Sequence, residues 1–157
     1  GDQCVVDYAH TPDALASALS SLRPHTTGRL IVVFGAGGDR DLGKRPLLAR
    51  AAMAGADLVV ATTDNPRSED PAAILDAVCS GFEGAPMSES EWTTAARGWT
   101  RCDDRRAAIR AAVFAARPGD RVLVAGKGAE AKQTFADHAV PFDDRVEVRA
   151  ALELRPC

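Results

Sequence analysis

Apolar residues recur along this chain in two rhythms. Short continuous apolar runs at 3–6, 30–34, 58–61 and 121–125 read as strands buried on both faces. Each is followed by a polar loop and then by apolar positions three and four apart, the spacing of a helix with one side inward. In the first unit Thr11 is an N-cap with Pro12 at the first helical position; Ala14, Leu15, Ala18, Leu19 and Leu22 share a face, and the helix closes near Pro24. The second helix is predicted from Pro46, with Leu47, Leu48, Ala51 and Ala52 inward, and the third over 71–79 behind an Asp70 cap. Residues 81–98 break the rhythm: Gly, Pro, Ser, Glu and Thr surround an isolated Trp92, which predicts a surface excursion ending in a short strand around Trp99 and Thr100. Asp103 or Asp104 then caps a helix through about Ala116, with Ala108, Ile109, Ala112 and Val113 inward. After the 121–125 strand the pattern predicts a small hairpin, 133–135 with 139–142, and a final helix from Asp143-Asp144 to Leu152.

Strands alternating with helices imply an α/β fold, a three-layer Rossmann-like domain. Its sheet is mainly parallel, about six strands with one antiparallel, and helices cover both faces. The order of the strands is not legible. The polar loops all leave the carboxyl ends of their strands, on the edge where open α/β sheets bind ligands.

Composition narrows the class without naming it. The 157 residues fit one domain (1–157), and a net charge of -3 lends no support to binding nucleic acid or a membrane by bulk electrostatics. No apolar run approaches the ~20 residues of a membrane span. Cys4, Cys79, Cys102 and Cys157 are widely spaced without a C-x-x-C pair or companion histidines, so reduced thiols, no metal cluster and a cytoplasmic setting are expected. The chain opens on Gly1 and enters a strand-like run almost at once, which reads as a domain of a longer protein.

The candidate chemistry concentrates in Phe34-Gly35-Ala36-Gly37-Gly38-Asp39-Arg40-Asp41-Leu42-Gly43-Lys44-Arg45-Pro46, between a strand and a helix. Glycines admit close backbone approach and a helix start attracts anions. A dinucleotide fingerprint needs a third glycine where Arg40 stands, and a triphosphate loop needs a hydroxyl residue where Arg45 stands. Neither motif is complete. No G-x-S-x-G elbow is present either, and no catalytic residue is assigned. Arg40 and Arg67 with Asp64, Asn65 and Glu130 suit recognition: arginine takes carboxylates bidentately and acids take an ammonium, so one loop edge presenting both signs fits a zwitterion. The same residues could be plain loop ion pairs, and Asp7 and His10, after the first strand, could simply tie their loop down.

Taken together the loops resemble a known family. Asp-Tyr-Ala-His-Thr-Pro-Asp (7–13), the glycine loop (34–46), Asp-Asn-Pro-Arg (64–67), Asp-Arg-Arg-Ala-Ala-Ile (104–109) and Gly-Lys-Gly-x-Glu (126–130) are similar, in order and spacing, to the C-terminal domain of the Mur ligases, and most of all to the diaminopimelate-adding type. The resemblance implies an ATP- and Mg²⁺-dependent amide ligase of peptidoglycan synthesis. Such a ligase joins meso-diaminopimelate to UDP-N-acetylmuramoyl-L-alanyl-D-glutamate through an acyl phosphate. The UDP-binding domain and the central domain with its phosphate loop and metal site lie outside this chain, and the isolated domain is expected to be inactive. Carried over by motif, Arg40, Asp64, Asn65, Arg67, Gly126 and Glu130 would hold the diamino acid, and Asp7 and His10 would meet ATP. The resemblance also implies that Asp-Asn-Pro-Arg goes with diaminopimelate, whose extra carboxylate Arg67 would take, while Glu130 takes the far ammonium. One departure is Ala129, where the family usually has histidine, and the 81–98 excursion looks longer than typical. These leave open a paralogue joining another amino acid to another acceptor, and a non-catalytic anion- or nucleotide-binding module.

Overall fold

In the computed structural model, which describes residues 3–39 and 42–155, the apolar runs become strands β1 (Cys4–Asp7), β2 (Leu30–Phe34), β3 (Leu58–Ala61), β4 (Gly98–Arg101) and β5 (Arg121–Ala125). They form one parallel sheet in the order β1-β5-β2-β3-β4. Successive strand residues point to opposite faces, and here both faces are covered. Leu30, Val32 and Phe34 of β2, with Val59, Ala61, Leu123 and Ala125, pack beneath helices α1 (Pro12–Leu22), α2 (Lys44–Gly55) and α3 (Pro71–Cys79). The alternate set, Ile31, Val33, Leu58, Val60, Val122 and Val124, packs against α4 (Glu89–Thr94), α5 (Arg105–Ala115) and α6 (Asp144–Leu154). Two-sided burial is why β2 and β3 read as unbroken apolar runs.

The mainly parallel sheet with helices on both sides is as the pattern predicts. The antiparallel element stands apart from it: β6 (Lys132–Thr134) and β7 (Ala139–Pro141) make a separate two-stranded sheet. Of the two, only Gln133 is buried, so this hairpin lacks the two apolar faces that a place inside the main sheet demands.

Side-chain caps set the helix starts. Thr11 Oγ1 accepts from the Ala14 N–H at 3.2 Å, Asp70 Oδ1 from Ala72 at 3.2 Å, Asp104 Oδ2 from Ala107 at 3.1 Å and Asp143 Oδ1 from Arg145 at 2.9 Å. The second helix begins at Lys44, ahead of the predicted Pro46, and buries Leu48, Ala49 and Ala52, whereas Leu47, expected inward, is 43% exposed. The larger correction concerns 81–98. Instead of a bare excursion it contains α4, begun by a capping box between Ser88 and Glu91, and Trp92 is fully buried in the core. The S-x-x-E signal is present in the sequence; the Gly and Pro around it masked it.

Two buried ion pairs brace the ends of the sheet. At the amino end, Asp120 accepts from the Arg29 backbone N–H at 2.7 Å and from its guanidinium at 2.8 Å. Burial alone would raise the Asp120 carboxyl pKa, but Arg29 outweighs it and holds the group below its usual range. At the carboxyl end, Arg105 and Asp144 pair without any exposed side-chain surface. Cys4, Cys79 and Cys102 are free thiols, and no helix among the described residues is long and apolar enough to cross a membrane.

Candidate functional site

Every parallel strand ends at the same edge, so the loops after β1, β2, β3 and β5 meet there and enclose a cleft. Its walls include Tyr8, His10 and Thr11 from the first loop, Gly37 from the second, Lys44, Arg45 and Leu48 from α2, Asp64, Asn65 and Arg67 from the third, and Gly126 and Glu130 from the last. Of the residues predicted to hold the amino acid, Asp64, Asn65, Arg67, Gly126 and Glu130 are thus brought together, from segments some 60 residues apart in the chain. Arg40 lies outside the described residues. His10 lines the rim of this cleft and also a shallow recess beside α1, to which Asp7 belongs. Asp7 Oδ1 accepts from the Ala9 N–H at 2.8 Å, and His10 Nδ1 is 3.0 Å from the Tyr8 carbonyl. Both residues therefore shape their loop as well as facing the recess.

The glycine loop and the Asp-Asn-Pro-Arg loop are locked together. The Gly38 N–H donates to the Asn65 carbonyl at 2.7 Å, and a side chain at position 38 would collide with the Pro66 carbonyl. Arg45 is buried at the base of the glycine loop, reaching Glu69 at 2.8 Å and, more weakly, the Gly37 carbonyl at 3.4 Å. It braces the turn, which is why position 45 holds a cation where a phosphate loop would hold a hydroxyl. Arg67 adopts φ 54°, a left-handed conformation that costs a non-glycine residue about 1–3 kcal/mol and clusters at functional sites. Its N–H donates to the Thr134 carbonyl at 3.0 Å and its Nη1 to the Gly38 carbonyl at 2.9 Å, so the guanidinium is held at the cleft wall.

The electrostatics of the cleft carry both signs. Asp64 is buried and its Oδ1 lacks a hydrogen-bond partner; burial pushes its carboxyl pKa up, against the pull of Arg105 and Lys127. Lys127 has no exposed side-chain surface, and burial pushes its ammonium pKa down, against Asp64. Its Nζ lies 3.9 Å from Asp64 Oδ1 and 3.8 Å from Glu130 Oε1, which is half-buried at the mouth. An unsatisfied buried acid, a second acid and an arginine lining one cleft offer partners for both an ammonium and a carboxylate. No group of three or more His, Cys, Asp or Glu able to hold a metal occurs among the described residues.

The sequence singled out the motif acids and arginines but gave no role to Lys127. Lys127 was visible only as the middle of Gly-Lys-Gly. Gly126 at φ 116° and Gly128 at φ 54° take conformations that favour glycine, and a β-carbon at 126 would come within 2.8 Å of Asp64 Oδ2. The two glycines turn the lysine between them inward, beneath the cleft.

Comparison with known proteins gives the family. A family model described as "Mur ligase, glutamate ligase domain" matches residues 1–128. The UDP-N-acetylmuramoyl-L-alanyl-D-glutamate–2,6-diaminopimelate ligase of Caulobacter vibrioides is 52% identical over 153 residues, covering 98% of this chain and 29% of its own length. The enzyme of the same name from Rhizobium meliloti is 50% identical over 152 residues, covering 97% and 28%. A solved structure of a UDP-N-acetylmuramoyl-L-alanyl-D-glutamate–2,6-diaminopimelate ligase superposes with a TM-score of 0.85 at 44% identity, over 98% of this chain and 30% of that one. A murein peptide ligase from Psychrobacter arcticus, 14% identical with a TM-score of 0.62 over 99% and 29%, shares the fold. The chain thus spans under a third of the length of the curated relatives it matches.

Proposed function

This chain belongs to the Mur ligase family, as its glutamate ligase domain, and on that premise we propose that it is the amino-acid-binding domain of an ATP-dependent ligase. That ligase adds meso-diaminopimelate to UDP-N-acetylmuramoyl-L-alanyl-D-glutamate, as its relatives' names describe. The observation that carries the reading is the cleft itself, which Asp64, Asn65, Arg67 and Glu130 line together, with the Arg67 guanidinium tied to the Gly38 carbonyl. Diaminopimelate differs from lysine by a carboxylate on its far end. An arginine contact with that carboxylate is a charge-assisted, paired hydrogen bond of about 1.5–3 kcal/mol, enough to separate the two amino acids by one to two orders of magnitude in affinity.

The role of this chain is to bind and orient. Arg67, and Arg40 from the glycine loop, take carboxylates; Asp64 and Glu130 take the ammonium at the far end; Gly126 lets the ligand approach the backbone. The free amino group at the other end is left to attack an activated carboxylate of the UDP-linked acceptor. ATP supplies that activation when bound, and Asp7 and His10, which line the recess beside α1, would meet it. A carboxylate has lone pairs beyond the one that the Ala9 N–H occupies, so Asp7 can accept a further hydroxyl. Mg²⁺ and the acceptor belong to parts of the ligase outside this chain, and a cytoplasmic location follows from a substrate made there.

The full-length ligase, given ATP, Mg²⁺ and the UDP-linked dipeptide, should release phosphate only when diaminopimelate is added, and Arg67→Ala should raise the KM for diaminopimelate far more than that for ATP. Equal turnover with lysine would overturn the substrate assignment.

A further inference from the structure

We propose that Lys127 is a positioning residue: it fixes the side-chain amide of Asn65 so that Asn65 presents only N–H groups to the amino-acid cleft. The proposal rests on the reading of the cleft given above and deepens it. Lys127 does not line the cleft and has no exposed side-chain surface, so it touches no ligand itself. Its Nζ donates to Asn65 Oδ1 at 2.9 Å and to the Lys132 carbonyl at 2.7 Å. The Thr134 backbone N–H donates to the same Asn65 oxygen at 3.0 Å. Two donors therefore converge on Oδ1. Flipping the amide would set its NH₂ against an ammonium and an N–H, leaving three buried donors facing one another, so the orientation is fixed by chemistry.

The consequence is directional. Asn65 Nδ2 reaches Glu130 Oε1 at 3.3 Å, a long contact, and its second N–H remains available. The Asn65 backbone is held as well, by the Gly38 N–H on its carbonyl. In such a frame Asn65 recognises an acceptor, a carboxylate oxygen of the amino acid, and it also restrains Glu130, whose carboxylate is left to the ammonium. The ammonium of Lys127 ties three segments into one unit: the loop after β3, the loop after β5 and strand β6. Its stance near Asp64 and Glu130, too long for hydrogen bonds, balances the two acids without consuming the lone pairs a ligand needs.

The test is a double-mutant cycle on the full-length ligase, reading the KM of the amino acid and of ATP separately. Lys127→Met keeps the buried volume and removes both hydrogen bonds. It should raise the amino-acid KM roughly ten- to hundredfold and leave the ATP KM within about twofold. In an Asn65→Ala background the same change should have little further effect, because the residue through which Lys127 acts is gone. Equal increases in both backgrounds, or parallel loss of ATP affinity, would overturn the proposal. Should Lys127→Met not fold, Asn65→Asp decides. It keeps an oxygen for Lys127 and Thr134, and the Lys127 ammonium offsets the added charge, so it should fold; yet it turns the second oxygen on Glu130 and on the ligand and must lose amino-acid affinity at least as severely as Lys127→Met was expected to. Retained affinity in Asn65→Asp would sink the fixed orientation. A wild-type enzyme that turns over only with a different amino acid would refute the substrate assignment, and the cycle read with that amino acid keeps the same criteria.

Discussion

Arg105 and Asp144 face one another with no exposed side-chain surface, joined by two hydrogen bonds of 2.7 and 2.8 Å. Two further guanidinium hydrogens go to the carbonyls of Thr63 and Ala125, each at 3.1 Å, the first just past β3 and the second the last residue of β5. One side chain thus fastens α6 to α5 and holds the strand ends from which Asp64 and Gly126 project.

Removing half of this pair leaves the other charge stranded in the core. Arg105→Ala is expected to cost about 3–5 kcal/mol of stability, read from urea unfolding of the chain. The companion double variant Arg105→Met with Asp144→Leu removes both charges and should recover most of that loss. A single variant within about 1 kcal/mol of the wild type, on the order of a surface change, would contradict a buried, structural role.

Asp64 makes a prediction about pH. Burial raises its carboxyl pKa above the ordinary value of 3.8, outweighing Arg105 and Lys127, so the folded chain holds this proton more tightly than the unfolded chain. The resulting stability is fully present below the unfolded value and is lost as pH rises through the folded one. An Asp64→Asn variant has no carboxyl to titrate at this position. The difference in Tm, variant minus wild type, should therefore grow as pH is raised from about 4 towards neutrality, whatever its value at acid pH. A difference independent of pH would show that the carboxyl is not perturbed. In the full ligase the same substitution should weaken amino-acid binding, an instance of a functional group kept at a cost in stability.

Trp92 distinguishes the observed α4 from the surface loop that its neighbourhood suggests. A fully buried indole should cost about 3–5 kcal/mol when cut to alanine, where an exposed one would cost within about 0.5. Its Nε1 lacks a hydrogen-bond partner. Trp92→Phe removes that orphan donor, worth about 1–3 kcal/mol, along with some packing, and should stay within about 1.5 kcal/mol of the wild type. Denaturant midpoints of the two variants check both statements, and similar losses in both would argue for a partner to the indole N–H.

What was legible in the sequence was whatever depends on neighbours along the chain. The runs at 30–34 and 58–61 could be bounded to the residue because two-sided burial leaves no polar position inside them, and the turn at Pro118-Gly119-Asp120 marks where the 121–125 strand begins. Thr11, Asp70 and Asp104 announce their helices because a cap bonds within three residues. The loop motifs likewise indicated which segments carry recognition. Tertiary structure alone decided the rest. The order β1-β5-β2-β3-β4 depends on pairings between distant strands, which no local pattern encodes. Leu47 and Trp92 were misplaced because the side that is buried depends on what packs against it. Lys127 is the sharpest case: in sequence it is one more cation in a glycine loop, and only the fold, by turning it inward between Gly126 and Gly128 onto an oxygen of Asn65, gives that charge a single place to act.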